Sequence, residues 1–226
     1  MILNQVSWGE FWSPVLLSMR IALLSSIAVL LLGLAAAWMM TRRPVIRGRV
    51  IIETVFMLPL VLPPTVVGFI LLKLLGRKSW MGQWIETLFS SPIIFTWWAG
   101  VIASVVVAFP LVYQTMKVGF RSVDHHLEEA GRSIGASEWQ VFRHITLPLV
   151  LPSLISAWIL GFARSLGEFG ATLMIAGNIP GQTQTVPTAI YVAVDTGNMP
   201  MAWIWTYAMI FISSMLLLAT NYRARD

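Results

Sequence analysis

Arg164 and Glu168 stand four residues apart inside a long apolar stretch. A charge at such depth is costly unless it is paired or faces a cavity. On a helix this spacing brings the guanidinium and the carboxylate to one face. There they can neutralise one another, meet a charged solute, or move a proton. Acid–base chemistry would need a nucleophile or a metal set alongside, and Ser165 is the one neighbour of that kind. Gly167 and Gly170 flank the pair and permit close helix approach. The hydroxyls of Ser165 and Thr172 could meet an oxyanion, or equally bond carbonyls of their own helix. A second polar group is His125, His126, Glu128 and Glu129. It lacks the H-E-x-x-H spacing, and His125 and Glu129 alone share a helical face, so it reads as a solvated helix start rather than a metal site. His144 reads as a surface residue. With no cysteine in the chain, thiolate metal sites, disulfides and cysteine nucleophiles are excluded, and the redox compartment is left undetermined. No G-x-x-x-x-G-K-[ST] loop is present, so the chain does not itself hydrolyse ATP.

The elements that must position these groups are membrane spans. Of the 226 residues, 57% are hydrophobic and 11% are charged, and mean hydropathy is +0.77. A soluble domain carries about a quarter charged residues. The eleven Trp fit a chain with two lipid–water boundaries. A net charge of +5 invites a nucleic-acid reading, but no basic patch interleaved with aromatics lies outside the spans. About 20 apolar residues cross a bilayer core. Four or five stretches qualify, at about 14–40, 53–75, 93–116, 149–176 and 201–220, in one domain covering residues 1–226. A cleaved signal peptide is disfavoured for the first, because its apolar run continues through Met40 and arginines follow it. The second contains Pro59, Pro63 and Pro64, which remove three backbone donors and disfavour regular helix. Carbonyls freed there must face protein or water. The break can line a transport cavity or serve as a packing kink.

Positive charge orients the bundle. Arg42, Arg43, Arg47, Arg49, Lys117, Arg121, Arg132, Arg143, Arg223 and Arg225 fall on one side, and Arg20, Lys73, Arg77 and Lys78 on the other. The N-terminus is therefore expected outside and the C-terminus in the cytoplasm. The C-terminal tail ends six residues after Thr220, so no added regulatory domain is expected. The loop at about 177–200 has an apolar centre, Val186 to Val194, which suits a short re-entrant or interfacial helix or a shielded connection.

Between the third and fourth spans lies a charged passage, EEAGRSIGASEWQVFRHITLP. Asp124 is a good N-cap. Leu127, Ala130, Gly131 and Ile134 form one apolar helical face, and Glu128 and Arg132 are ordered for a flanking i,i+4 pair. Gly135 suits a left-handed C′ position. Ser137 and Gln140 make a capping box that opens a second helix, which presents Trp139, Phe142 and Ile145, and Pro148 marks where the next span begins. The pattern is a cytoplasmic helix–turn–helix hairpin over residues 121–148. Taken alone, it fits docking against another backbone and lying on the membrane equally well.

The passage resembles the EAA motif of ABC-importer permeases. Glu129-Ala130-Gly131, three residues, Gly135, nine residues, then Ile145-x-Leu147-Pro148 reproduces its spacing, with Gly131 where Ala is usual. Three further stretches, LPLVLPPTVVGF, FARSLGEFGAT and NIPGQTQTVPTAIY, resemble molybdate permeases, with sulfate/thiosulfate and tungstate permeases as close relatives. The resemblance implies an all-α polytopic membrane protein of about five transmembrane helices, with a coupling-helix hairpin and the type I importer fold. It implies that the hairpin docks on the ATP-hydrolysing subunit through Glu128, Glu129, Ala130, Gly131, Ser133 and Gly135. It places Pro63, Pro64, Thr65, Arg164, Ser165, Glu168, Gly170 and Thr172 along a translocation path. The implied assembly is a homodimer in the bacterial inner membrane, with two ATP-binding subunits that hold ATP and Mg, an external molybdate-binding protein, and surrounding lipid. This chain itself is expected to bind no cofactor. An intramembrane enzyme built on Arg164 and Glu168, or a passive channel, would work without an ATPase partner, and the hairpin is the feature that discriminates.

Overall fold

The computed structural model describes residues 8–42 and 48–223, with side chains described as far as residue 218. Arg43, Arg47 and Arg225, counted above for orientation, lie outside the described residues, as does the side chain of Arg223. Every regular element among the described residues is helical. The long apolar helix α1 covers Trp8–Arg42, about 50 Å at 1.5 Å per residue. Its buried stripe packs on α5 (Trp97–Arg121) and α8 (Leu147–Leu166). Val29, Ala37, Met40, Ala108, Val112, Tyr113, Met116, Val150 and Ala157 form the core where the three meet. Close approach is set by small residues. A Cβ on Gly33 would lie 2.8 Å from Val112 Cγ1, and one on Gly119 would lie 2.5 Å from Ser153 Cβ.

The second span is not one helix. α2 (Arg49–Val61) and α3 (Pro64–Leu75) meet at 115°. The chain nonetheless climbs through the bundle, since Glu53 pairs with Lys117 near the end of α5, Phe56 packs on Phe109 and Tyr113, and Val67 joins Ala99, Ala103 and Val107. Of the three prolines, Pro59 is accommodated inside α2. The break falls at Leu62, which is extended (φ −71°, ψ 142°) as a residue before proline prefers. Pro64 then opens α3 at a position where a missing N–H costs nothing.

The fourth span departs from expectation. It ends at Leu166, and a separate short helix α9 follows at Gly170–Ala176. Pro148 falls in the first turn of α8, where the next span is expected to begin. The chain stays helical from α7 (Glu138–Val141) through a π turn at Phe142–Thr146 into α8. In that turn the Leu147 N–H bonds the Phe142 carbonyl. The wider ring gives the proline space without interrupting the helix.

Between α3 and α5, where no element is expected, α4 spans Trp80–Phe89 and is capped by Ser79, whose Oγ accepts from the Gly82 N–H at 2.9 Å. The 177–200 loop contains α10 (Val186–Asp195), which packs with α1 and α11 (Met199–Arg223) around Val15, Ala189, Met201 and Trp205.

Candidate functional site

The charged passage folds as the hairpin its local signals specify. Asp124 accepts from the His126 N–H at 2.9 Å and starts α6 (His125–Ser133). Gly135 has φ +90°. Its N–H bonds Arg132 O and the Ala136 N–H bonds Gly131 O, a pair of bonds that satisfies the last carbonyls of α6. The Ser137–Gln140 capping box closes in both directions.

Side-chain placement differs from the periodicity reading. Leu127, Ala130 and Ile134 face outward, Ile134 being 87% exposed. Gly131 alone of that face turns inward, against Ile145 and Val141 of the second limb. Glu129 is 59% exposed and meets His125 and His126 at 3.8 and 3.7 Å. The Ser133 hydroxyl bonds Glu129 O at 2.9 Å. Glu128 points the other way and is buried against Arg42 and Thr146, so the four-residue His/Glu group does not converge. Arg132 lies 3.9 Å from Glu128 and makes its close contact to Glu138, at 2.5 Å. That bond raises the Arg132 guanidinium above its ordinary value. The hairpin thus offers an outward surface of Leu127, Glu129, Ala130 and Ile134, while Glu128 is withdrawn from it.

Sequence reasoning missed Arg42 and Thr146 as partners of Glu128. A faint signal existed, since Glu128 precedes the inward-facing Gly131 by three residues and so shares its side of the helix.

The two broken spans meet. A Cβ on Gly68 would lie 2.8 Å from Ala171 Cα and 2.7 Å from Met174 Cβ, and one on Gly170 would lie 3.2 Å from Pro64 and Thr65. Gly167, the other glycine expected to admit a helix, meets nothing closer than the Ala163 carbonyl at 3.7 Å and instead caps α8. Arg164 Nη1 and Glu168 Oε2 are 2.8 Å apart across the α8–α9 break. The second carboxylate oxygen of Glu168 accepts from the Ala171 N–H at 2.8 Å. The buried carboxylate therefore closes the α9 N-terminus and neutralises the arginine, which keeps 31% side-chain exposure. Pro63, Pro64 and Thr65 lie on the surface at the bend. Ser165, Glu168, Gly170 and Thr172 are buried within the chain. Of the expected path residues, Pro64, Thr65 and Gly170 meet where the two breaks touch and Thr172 faces Gly100 of α5, while those with an outward face are Pro63, Pro64, Thr65 and, in part, Arg164.

Residues 29–225 match the family described as "Binding-protein-dependent transport system inner membrane component". The chain is 55% identical over 215 residues to the Bacillus subtilis (strain 168) permease protein YvgM, whose name proposes molybdenum transport, covering 95% of this chain and 94% of that one. It is 42% identical over 185 residues to the molybdenum transport system permease protein ModB of Escherichia coli (strain K12), covering 82% and 80%. The sulfate transport system permease protein CysT of the same organism is 31% identical over 230 residues, covering 98% and 82%. Among solved structures, the inward-facing MetNI methionine ABC transporter superposes with TM-score 0.71 at 18% identity, covering 97% and 98%. A bacterial alginate ABC transporter, solved with its alginate-bound periplasmic protein, does so with TM-score 0.76 at 15% identity, covering 99% and 80%. These two likenesses establish the type I importer fold.

Proposed function

This chain belongs to the family of binding-protein-dependent transport system inner membrane components, and on that premise we propose that it is the permease subunit of an ATP-driven importer of molybdate. It is a transport subunit and not an enzyme. Two copies surround a central path, with the α2–α3 bend and Thr65 lining it. An ATP-binding subunit, which holds the ATP and Mg, docks under each hairpin against Glu129, Ala130 and Ile134. A binding protein delivers the oxyanion from outside, at the end where α10 lies. ATP binding draws the two hairpins together and opens the bundle outward, and hydrolysis resets it. The N-terminus is outside and the C-terminus is in the cytoplasm.

The observation that carries the importer reading is the hairpin itself, a locally capped unit whose Leu127, Glu129, Ala130 and Ile134 face away from the bundle. An intramembrane enzyme has no use for such a unit, and its candidate pair is already committed, because Glu168 is occupied by Arg164 and the Ala171 amide. Molybdate as cargo is supported by the names of the relatives at 55% and 42% identity, and the more distant CysT supports sulfate as the second reading. Labelled molybdate uptake in cells with and without the chain tests both. Uptake that depends on the chain, is blocked by tungstate and is spared by sulfate is expected. Competition by sulfate would move the cargo to sulfate.

A further inference from the structure

Glu128 is 2% exposed, and both its oxygens are taken by the Arg42 guanidinium at the end of α1. Its Oε1 also accepts from Thr146 Oγ1 at 2.6 Å, and Arg42 Nη2 reaches the same hydroxyl at 3.3 Å. The guanidinium lies 4.5 Å from the Trp38 ring centroid, and Trp38 packs edge-on against Phe120 and Phe142. One carboxylate therefore gathers α1, α6 and the π turn, with α5 packed beside them. Desolvation offsets much of the attraction in a buried ion pair, so its net contribution to folding is a weak reason for it. Its position suggests another role. The hairpin's second limb runs into α8 as one continuous helix, so displacement reaches α8 through the backbone. α1 has no such continuity, and its tie to α6 joins residues 86 apart in sequence. At its other end α1 is tied to the outer helix, where Ser18 Oγ accepts from the Val186 N–H at 2.8 Å. From Ser18 to Arg42 is about 36 Å of unbroken helix.

We propose that Arg42 and Glu128 are positioning residues that form the joint passing hairpin displacement to α1, which relays it as a rod to α10 on the outer face, with Thr146 holding the carboxylate in register. This rests on the hairpin being the docking site of the ATP-hydrolysing subunit.

The test uses the permease with its ATP-binding subunits in liposomes, supplied with loaded binding protein, and measures molybdate uptake and ATP hydrolysis in the same preparation. Glu128→Gln and Arg42→Gln are expected to keep the ATP-binding subunit through purification and to hydrolyse ATP, while molybdate moved per ATP falls by at least about tenfold, since removing one partner of a buried charge pair is strongly disruptive. Thr146→Val, which spares the ion pair, is expected to lower that ratio about threefold, the effect of one neutral hydrogen bond. An unchanged ratio overturns the joint. Loss of the ATP-binding subunit from Glu128→Gln also overturns it, by making Glu128 a docking residue. Should the charge variants fail to insert, the Thr146→Val ratio decides. A wild-type chain that neither retains the subunit nor takes up molybdate sinks the proposed function, and the joint with it.

Discussion

Glu128 and Glu129 are adjacent and identical in type, yet a helix turns about 100° per residue, and that rotation separates a buried ion pair from an exposed acid. Glu129→Lys is expected to abolish uptake with normal insertion, because it reverses charge on the surface offered to the ATP-binding subunit and touches no buried group. Uptake at the wild-type level by this variant would remove Glu129 from docking. At the α8–α9 break, Glu168 does two jobs, and two substitutions separate them. Glu168→Ala loses both the ion pair and the cap. It is expected to lower unfolding stability in detergent by about 1–3 kcal/mol, discounted because Arg164 is partly exposed. Glu168→Gln keeps an oxygen for the Ala171 amide and is expected to lose less. Equal losses in the two thermal melts would show that the cap contributes nothing. Both glutamates were visible as candidates from their type and spacing, but which way each pointed was not, because local periodicity fixes a face and not the neighbour that face meets.

The helices show the same division. Asp124, Gly135 and the Ser137–Gln140 box were legible because a cap is satisfied within four residues of chain. The π turn was not, since it answers a proline ahead of it and a partner, Glu128, eighteen residues behind Thr146. The kink of the second span was legible from its prolines, although Pro59 does not break the helix and Pro63 and Pro64 do. Ending α8 at Leu166 was not foreseen, because an apolar run carries no mark of where a buried carboxylate will recapture the chain. α3 and α9 then meet through Gly68. Gly68→Ala is expected to destabilise the fold by about 1–3 kcal/mol through overpacking, because the new methyl would collide with Ala171 backbone. Gly9→Ala, where nothing lies within 4 Å, is the control and is expected to be neutral to slightly stabilising. A Gly68→Ala melt equal to wild type would mean α3 and α9 move apart freely.

For the whole molecule the expected orientation can be read directly, because the chain has no cysteine and any introduced thiol stands alone. Ile134→Cys is expected to react with a membrane-impermeant maleimide only from the cytoplasmic side, and Gln182→Cys, on the exposed outer loop, only from outside. The reverse labelling pattern would invert the topology and place the hairpin where no ATP-binding subunit could reach it. Composition, apolar run length and local capping signals determined by themselves that this chain spans a membrane several times and carries a capped helical hairpin between two spans, because hydrophobic transfer and helix capping act over a single segment. Tertiary structure alone decided that Glu128 pairs with Arg42 inside the chain, that Glu168 closes a helix start, and that the two broken spans meet glycine to backbone. Those outcomes depend on which residues, far apart in the chain, are brought within a few ångströms, and no local pattern encodes that distance.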